Sequence, residues 1–576
     1  MQKVKYEGQE FNPSPYQIKI FENIEHGTSN MVINAVAGSG KSTTIVNALS
    51  LIPKNKKILF IAFNKDIVEA LKKKVGEMSN VDIMTYHSLG YSFIRENFKG
   101  DIEVDEYKYL THVHGNVHRK ENMNYTKFMS YQKNTLKLID YARFNLAQSE
   151  KEIEQVAKKY NVNIVDDECS VVVEILKWGK TVTNRIDYTD MIWLPYELDI
   201  KTRKHKYDWI FVDEAQDSSL VQQELFKKCF KRGARFCAVG DSSQCINAWA
   251  GADENAFGKF LKMPNTKEFS LPISYRCPVS VINLAKKYVP QIEAKENAIF
   301  GEVKYDVNPY NPKPGDMVLC RNTFPLVKLY TEYLRINKKS FIRGKDIGDD
   351  FIDLIDKHTP LNNDMLNKSL IDDGLFRNLY EHLFKVADLM MENNGMTEEE
   401  AYLSEPVMSV YDSIMSLETL SEGLTTVDEL KNKIKTIFAE GGNEAVCLST
   451  IHKAKGLEAD NVYILAKSLL PSQFAKQEWE LKSEENLTYV AITRAKQTLQ
   501  YISEEDFRLD RGRVLEVRVK NKLKNIRQAL GTKPSNIRKT NITVTWKTSI
   551  DTNNDTASNT NRKTIGAMKF NKFLKK

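Results

Sequence analysis

A glycine-rich stretch near the start of the sequence has the residue types that bind nucleotide phosphates. The stretch "AVAGSGKST" at 35–43 fits the phosphate-loop pattern G-x-x-x-x-G-K-[ST] when Ala35 is accepted in place of the first glycine. Glycines leave backbone amides free to face phosphate oxygens, while Lys41 supplies a positive charge and Ser42 a hydroxyl for Mg²⁺. The residues that we expect to contact the nucleotide here are Gly38, Ser39, Gly40, Lys41, Ser42 and Thr43.

A second stretch, "VDEAQD" at 212–217, places carboxylates at the end of an apolar run. A carboxylate at the end of a strand can hold Mg²⁺, and its neighbour can orient the water that attacks a phosphate. Asp213 suits the metal role and Glu214 the role of general base. An acidic surface loop is the alternative, and the apolar residues Trp209–Val212 immediately before it argue against that interpretation.

A phosphate loop alone does not choose between kinases, GTPases, transporters and DNA motors. A GTPase would need an N-K-x-D motif to recognise its base, and "FNKD" at 63–66 lacks the spacer. The seven cysteines form no C-x-x-C pair, which predicts reduced packing cysteines and no zinc or iron–sulfur site. The sequence has no apolar run of eighteen residues and no N-terminal signal, so we expect a cytoplasmic protein without a membrane partner.

The net charge of +7 conceals an uneven distribution along the chain. Residues 507–576 contain 18 Lys/Arg against 4 Asp/Glu, whereas residues 351–446 contain 7 against 19. A basic tail predicts a polyanionic partner, and an acidic segment is not expected to lie along phosphates. A solvated, flexible tail is the alternative interpretation of the basic segment.

Short apolar runs that end in loops alternate with helical patterns along the chain. They occur at 29–36, 57–63, 207–217, 234–244, 316–322, 444–452 and 460–466. This alternation predicts parallel sheets flanked by helices. Two long segments, about 100–190 and 345–440, have helical periodicity and little strand character. The sequence therefore predicts an α/β protein with two parallel-sheet cores, each carrying a helical insertion.

Polar motifs follow one another along the chain in a definite order. They are "NPSPYQ" at 12–17, "AVAGSGKST" at 35–43, "IAFNK" at 61–65, "TYHSLG" at 85–90, "VDEAQD" at 212–217, "VGDSSQCINAWAGA" at 239–252, "SYRCP" at 274–278, "STIHKAKGLEADNVYIL" at 449–465 and "LTYVAITRAK" at 487–496. In type and order these stretches resemble, motif for motif, the superfamily 1 helicases of the UvrD/Rep type, and the resemblance covers about residues 10–505.

The resemblance implies a fold of two RecA-like cores, whose insertions correspond to the family's 1B and 2B subdomains. We expect a first core of residues 1–99 and 191–275 with insertion 1B at 100–190, a second core of 276–344 and 441–510 with acidic insertion 2B at 345–440, and a basic, flexible tail at 511–576.

The resemblance also implies how ATP is hydrolysed between the cores. Gln244 would sense the γ-phosphate, while Arg276 and Arg494 would bring two guanidinium groups to the transition state from the second core. Such arginines are worth roughly 10³–10⁵ in rate in well-studied NTPases. Hydrolysis would then require that the two cores close, which couples ATP turnover to movement.

Three further residues would hold the nucleoside by this resemblance. Gln17 would read the adenine edge, Tyr275 would stack on adenine and Glu458 would contact the ribose. Packing in a core is the alternative role for Tyr275.

Single-stranded nucleic acid needs aromatic platforms and backbone donors. Trp249 is the foremost platform that the resemblance implies. The segment 118–144 interleaves aromatic and basic residues, which suits DNA contact but equally a mixed amphipathic helix. A structural role is the alternative for the other expected contacts, which are Phe63, Tyr86, His87, His452 and Lys453.

Some features depart from the family pattern. Asn247, Ala248 and Ala250 stand where motif III commonly has an aromatic and basic residues, so one stacking platform is missing or supplied elsewhere. Insertion 2B is smaller than the family norm and acidic, so its engagement of duplex DNA does not carry over. The residues after motif VI are basic and rich in Asn and Thr, which predicts no nuclease domain.

The resemblance implies an ATP- and Mg²⁺-dependent DNA helicase that moves 3′ to 5′ on single strands and at junctions, in replication, recombination or repair. Its compact form would suit a phage or a small bacterial system, and the tail is a candidate contact for replication or recombination proteins. One alternative is a remodeller that strips proteins from single-stranded DNA without processive unwinding. Another is a scaffold that uses ATP as a switch, against which the complete hydrolytic set argues.

Overall fold

The structure is a computed structural model, which describes residues 4–6, 9–75, 78–121, 123, 125–165, 167–247, 251–253, 255–361, 363–366, 374–438, 441–442, 444–507 and 512–532. The chain divides into a compact unit, Met1–Ser535, and a second segment, Asn536–Lys576. All described residues lie in the first unit. Within them, no helix is both long enough and apolar enough to cross a membrane.

The strands of the described residues form two six-stranded sheets and three small pairs. In chain order they are β1 (Val4–Tyr6), β2 (Gln9–Phe11), β3 (Asn30–Ala35), β4 (Ile58–Ala62), β5 (Val81–Thr85), β6 (Glu103–Val104), β7 (Arg185–Ile186), β8 (Tyr207–Val212), β9 (Phe230–Gly240), β10 (Thr266–Leu271), β11 (Ile273–Ser274), β12 (Glu293–Ala294), β13 (Glu302–Val307), β14 (Met317–Cys320), β15 (Ser340–Arg343), β16 (Val446–Thr450), β17 (Ala459–Ile464) and β18 (Ala495–Ile502).

The helices flank the two sheets or fill the two insertions. In chain order they are α1 (Pro15–Glu25), α2 (Lys41–Ser50), α3 (Lys65–Val75), α4 (Tyr86–Asn97), α5 (Lys108–Asn116), α6 (Tyr125–Asn145), α7 (Glu150–Lys159), α8 (Glu168–Thr181), α9 (Tyr188–Glu197), α10 (Leu220–Lys227), α11 (Ala256–Leu261), α12 (Val279–Ala285), α13 (Thr323–Arg335), α14 (Lys345–His358), α15 (Leu375–Asn394), α16 (Glu398–Tyr402), α17 (Glu405–Leu420), α18 (Val427–Ile437), α19 (Glu478–Ile492) and α20 (Gly512–Ala529).

The first sheet has the strand order β10-β3-β9-β8-β4-β5, and all neighbouring strands are parallel. Strand β4 is buried along its whole length and β8 along most of it, as continuous apolar runs predict for a sheet covered on both faces. Because the strands are parallel, the loops after β3, β8 and β9 meet at one edge. This edge brings the phosphate loop and the "VDEAQD" carboxylates together.

The second sheet has the order β13-β18-β17-β14-β16-β15 and is also parallel throughout. The predicted fold class, two parallel-sheet cores, is therefore confirmed. The sequence pattern did not single out the strands β5, β10, β13, β15 and β18. Strand β10 reads "TKEFSL" and is largely exposed, so it lacks the apolar run that marks a buried strand.

The first insertion consists of helices α5 to α8 with the small parallel pair β6 and β7. Val32 and Ile61 of the first sheet belong to one buried apolar cluster together with Leu138 and Val172 of these helices. The insertion is thus a continuation of the first hydrophobic core rather than a separate body. The limits of both insertions predicted from the sequence remain proposals. Each insertion shares an apolar cluster with its sheet, so the packing marks no residue at which the core ends and the insertion begins.

The second insertion, helices α14 to α18, packs on the second sheet in the same way. Val318 and Leu448 of the sheet share an apolar cluster with Leu379 and Leu417 of the insertion. The opposite face of the second sheet packs against α12 and α19. That second cluster also contains Val36, Ala37 and Ile246, which follow strands of the first sheet. The two cores are therefore joined by apolar contacts next to the phosphate loop.

Helix α20 corrects the prediction that residues 511–576 form a flexible tail. Val519 and Leu523 of α20 are buried in the apolar cluster of the second insertion. Arg527, 3% exposed at its side chain, has Nη2 2.5 Å from Asp388 Oδ1. A basic helix of this chain thus covers part of its own acidic insertion. The prediction for residues 533–576 lies outside the described residues.

Candidate active site

The phosphate loop, residues 36–40, connects the buried strand β3 to helix α2. Gly38 and Gly40 have φ angles of +70° and +75°, in the left-handed region that favours glycine. A Cβ atom on Gly38 would lie 2.5 Å from the Cβ of Arg276. A glycine at this position is therefore needed both for the backbone conformation and for the close approach of Arg276.

Two observations indicate that the loop fits a nucleotide phosphate. The hydroxyl of Ser39 is buried and has no hydrogen-bond partner among the residues that the structure describes. Buried polar groups are nearly always paired, so this orphan is typical of a site that receives a polar ligand. The N-terminus of α2 points its amides at the same place, and its dipole favours an anion there. Thr43 lies in the first turn of this helix.

Lys41 and Glu214 form an ion pair across the first core, with Lys41 Nζ 2.6 Å from Glu214 Oε1. Burial alone would lower the pKa of Lys41, but the Glu214 and Asp213 carboxylates overcome this effect and raise it. Glu214 has a φ of +47°, a conformation that costs a non-glycine residue energy and is found disproportionately at functional sites. The pair brings together the residues predicted to bind phosphate and to act as the base.

The carboxylates of Asp213 and Glu214 have opposite pKa shifts. Burial and the neighbouring charge of Glu214 raise the pKa of Asp213 to about 6. Burial also favours the neutral form of Glu214, but Lys41 and Lys455 outweigh it and lower its pKa to about 2. Glu214 is thus held as a carboxylate, which is the form that a general base requires.

The metal prediction rests on Ser42 and Asp213, which both line the cleft. Among the described residues, no group of three or more His, Cys, Asp and Glu side chains could hold a metal ion by itself. Mg²⁺ commonly takes one or two protein ligands and completes its octahedron with phosphate oxygens and water. The pair of residues fits that kind of site.

Gln244 and Arg494 approach each other from the two cores. Gln244 Nε2 donates to Asp241 Oδ2 at 2.8 Å, and its Oε1 lies 3.5 Å from Arg494 Nη2. Arg494 is 1% exposed and also donates to the carbonyls of Val490 and Leu457. Burial and the nearby charge of Arg276 lower the pKa of Arg494 to about 10, so this guanidinium is still a cation at neutral pH.

The segment Tyr275–Arg276 lies directly beside the phosphate loop. The amide of Tyr275 donates to the carbonyl of Gly38 at 2.8 Å, and its ring is 43% exposed. Arg276 Nε lies 2.6 Å from Glu458 Oε2. Glu458, the predicted ribose contact, is therefore paired with a predicted catalytic arginine, and the two would have to separate if each is to contact nucleotide.

Gln17 lies against helix α2 rather than in open solvent. Its Oε1 accepts from the amide of Ser14 at 2.9 Å, and its Nε2 donates to Thr44 Oγ1 at 2.9 Å. The side chain is nearly fully buried. Gln17, which is predicted to recognise adenine, is thus hydrogen-bonded to the helix that carries Lys41.

The predicted DNA contacts differ in how they are placed. Phe63 is 46% exposed and lines the cleft with His87, His452 and Lys453. Tyr86 is buried, and its hydroxyl faces Ser218 at 3.4 Å. Its prediction as a stacking platform is wrong for this structure, because a platform needs an accessible ring face. Burial, with the nearby charges of Arg321 and Lys453, lowers the pKa of His452 to about 3. Trp249 lies outside the described residues.

Predicted residues from both cores line one cleft of about 810 Å³, whereas Gln17, Tyr275 and Glu458 do not line it. Those predicted site residues that line it are Gly38, Lys41, Ser42, Phe63, His87, Asp213, Glu214, Gln244, Arg276, His452, Lys453 and Arg494.

Sequence reasoning missed several side chains that bridge the cores. Lys455 forms an ion pair with Asp217 and donates to the carbonyl of Gln244 at 2.9 Å. Asn486 Nδ2 donates to the carbonyl of Cys245 at 2.9 Å. Lys455 lies within the stretch 449–465, and Asn486 immediately precedes the stretch 487–496. Their closeness to these motifs could have marked them as candidates, whereas their residue types gave no such indication.

The chain matches known families in both of its cores. Residues 18–265 match the model of the UvrD/REP helicase N-terminal domain, and residues 445–500 match that of the UvrD-like helicase C-terminal domain. A probable DNA helicase II homolog of Mycoplasma genitalium is 24% identical over 83% of each chain, and the ATP-dependent DNA helicase PcrA of Bacillus subtilis is 24% identical over 81% of this chain and 80% of the relative. The corresponding homolog of Mycoplasma pneumoniae, also 24% identical, matches over 46% of this chain and 41% of the relative.

The two family models cover the segments that line the cleft, apart from the one that carries Arg276. The first family model spans the phosphate loop, Asp213, Glu214 and Gln244, and the second spans Glu458 and Arg494. Each matched segment contributes strands to one of the two parallel sheets, and residues of both segments line the same cleft. Both findings agree with the family that the sequence motifs indicate. The chain belongs to the UvrD/Rep family of helicases.

Proposed function

We propose that the chain is an ATP-dependent DNA helicase, which couples ATP hydrolysis between its cores to movement on single-stranded DNA and to duplex unwinding. The observation that carries the proposal is the shared cleft: Lys41 and Glu214 of the first core face Arg494 of the second across it. A complete hydrolytic set divided between two bodies makes turnover depend on their closure. The family names of the relatives support the same activity.

ATP would bind with its phosphates on the loop 36–40 and the N-terminus of α2. Ser42 and Asp213 would hold Mg²⁺, which neutralises charge on the β- and γ-phosphates. The arrival of the γ-phosphate offers Lys41 a new anionic partner in place of Glu214. Glu214 is then free to orient water, because its present ion pair with Lys41 occupies one carboxylate oxygen.

In the hydrolytic step, the water oxygen attacks the γ-phosphorus and the bond to the β–γ bridging oxygen breaks. Glu214 accepts the proton of the water, and ADP leaves with the bridging oxygen. Arg494 stabilises the charge that develops on the γ-phosphate, and Arg276 joins it once Glu458 has turned from it to the ribose. Gln244, which contacts both Asp241 and Arg494, would sense the γ-phosphate.

We further propose movement in the 3′ to 5′ direction, in replication, recombination or repair. A single experiment tests direction and activity together: ATPase and strand separation are measured on duplexes with a 3′ or a 5′ single-stranded tail. The proposal predicts DNA-stimulated ATPase with either tail and unwinding mainly from the 3′ tail. Preference for the 5′ tail would overturn the direction, and ATPase without DNA stimulation would overturn the helicase.

The Lys41→Ala variant is the control for this experiment, since Lys41 follows the phosphate loop and lines the cleft. It should abolish both ATPase and unwinding, and unwinding that survived the loss of ATPase would contradict the proposal. ATP-driven removal of bound protein from single strands, without unwinding of either duplex, would instead support a remodeller.

A further inference from the structure

Tyr489 of the second core is inserted between two catalytic elements of the first. It lies on α19 and is completely buried. Its hydroxyl accepts from the amide of Ala37, in the phosphate loop, at 3.0 Å, and lies 3.3 Å from Asp241 Oδ2. A tyrosine hydroxyl has one proton, so it accepts from Ala37 and donates to Asp241. One hydroxyl group therefore links the second core to the phosphate loop and to the end of β9.

Asp241 continues this link toward the catalytic base. Its amide donates to Gln216 Oε1 at 3.1 Å, and Gln216 Nε2 donates to Glu214 Oε2 at 2.5 Å. Its side chain also accepts from Gln244 Nε2 at 2.8 Å. Asp241, Gln216 and Gln244 are all buried. Asp241 is thus the shared member of this link: its carboxylate is bonded to Tyr489 and Gln244, and its backbone amide is bonded to Gln216, which contacts Glu214.

We infer that Tyr489 is a positioning residue, whose hydroxyl aligns Glu214 and Gln244 for hydrolysis when the two cores are closed. This inference rests on the proposed ATPase function. In a water-poor interior a satisfied chain of polar groups holds its members rigidly, and the loss of one partner leaves the next unpaired. When the cores separate, Tyr489 leaves with its helix, so Asp241 loses one of the donors that fix it.

Two other bridges between the cores act at different places. Lys455 pairs with Asp217, and Asn486 donates to the carbonyl of Cys245. Tyr489 differs from both because it contacts the phosphate loop and Asp241 together. The alternative role for Tyr489 is packing alone, since its ring belongs to the apolar cluster that spans the cores. The hydroxyl and the ring can be separated by substitution.

The Tyr489→Phe variant removes the hydroxyl and keeps the ring. Steady-state ATPase is measured at saturating single-stranded DNA while ATP is varied. We expect kcat to fall roughly tenfold, in keeping with the sensitivity of catalysis to small misplacements, while KM for ATP stays within about twofold. A loss of folded protein would also lower the apparent kcat at constant KM, so kcat is calculated per folded molecule, with the folded fraction taken from a thermal melt of the same sample.

Tyr333→Phe is the matched control. Tyr333 is a completely buried tyrosine of the second core, and its hydroxyl donates to the carbonyl of Pro309 at 2.6 Å, away from the cleft residues. This variant also loses one buried hydrogen bond but should retain wild-type kcat. An equal fall of kcat in both variants would mean that losing any buried hydrogen bond of this core slows the enzyme, and it would overturn the inference.

Asp241→Asn provides a second route if Tyr489→Phe does not fold. It should lower kcat in the same way, and where both variants fold, the double variant should be no slower than the slower single one, because both act on one path. A wild-type kcat in Tyr489→Phe would overturn the inference but not the proposed function. The same holds for a wild-type kcat in Asp241→Asn, if Tyr489→Phe does not fold. Wild-type protein without DNA-stimulated ATPase would instead overturn the proposed function and the inference with it.

Discussion

At the scale of single residues, the ion pair between Lys41 and Glu214 is the most informative contact. Its charges are largely buried, and each holds the other in the ionised form needed for its proposed role. Glu214 therefore does not have to lose a proton before it can act as a base. The rearrangement on ATP binding is then an exchange of partners for Lys41, without any change in protonation.

The Glu214→Gln variant should bind ATP but hydrolyse it about 10² to 10⁴ times more slowly, since glutamine keeps the size of the side chain and cannot accept the proton. Single-turnover hydrolysis and equilibrium binding of a fluorescent ATP analogue measure the two effects separately. Glu224→Gln is the control, because Glu224 pairs with Lys227 on α10. Equal hydrolysis by Glu214→Gln and wild type would remove Glu214 from the reaction.

The site could be predicted from the sequence to a large extent, because the phosphate loop and "VDEAQD" have fixed spacing relative to the strands that precede them. The partners of those residues could not be predicted. Tyr86 carries the right residue type for stacking, but its burial depends on Ser218 and the helices around it, which lie far away in the sequence. The bridges of Lys455 and Tyr489 arise only when distant segments meet.

At the scale of elements, helix α20 fastens the end of the second core to the acidic insertion. Four of its basic side chains have acidic partners there. They are Lys520 and Lys524 with Glu399, Lys522 with Glu418, and Arg527 with Asp388 and Glu398. The opposite charge totals of these two segments were visible in the sequence. The ion pairs between the two segments could not be predicted, because charge composition does not show which acidic residues a basic segment contacts.

The Arg527→Met variant should lose about 2 kcal/mol of stability, less than for a fully buried pair because Asp388 and Glu398 are partly exposed. The free energy of unfolding is measured in urea, and hydrogen exchange of the amides in α15, α16 and α20 shows whether the loss is local to these helices. Lys524→Met removes a more exposed charge from the same helix and should change stability by at most about 0.5 kcal/mol. Equal effects of the two substitutions would show that Arg527 has no special anchoring role.

At the scale of the whole molecule, the sequence carries more basic charge near its end than helix α20 accounts for. The acidic insertion is partly neutralised by α20, and residues 533–576 contain ten Lys/Arg against two Asp/Glu. The composition of this segment therefore predicts that it binds a polyanion.

Deletion of residues 533–576 should weaken binding to single-stranded DNA about tenfold at 50 mM salt and much less at 200 mM, because the release of counterions depends on salt. Fluorescence anisotropy with a labelled oligonucleotide at both concentrations measures this. A full-length variant with the ten Lys and Arg replaced by Gln separates charge from chain length and should behave like the deletion. An unchanged affinity for single-stranded DNA at both salt concentrations would show that the segment does not bind the phosphates of DNA.

The apolar contact of Val36, Ala37 and Ile246 with the second core has a thermal consequence. Separating the cores would expose these side chains to water, at a cost of about 25 cal/mol for each Å² of apolar surface. Since the hydrophobic effect weakens on cooling, the force that draws the cores together declines in the cold. We therefore expect that opening the cleft costs more free energy at higher temperature, as far as this apolar contact is concerned.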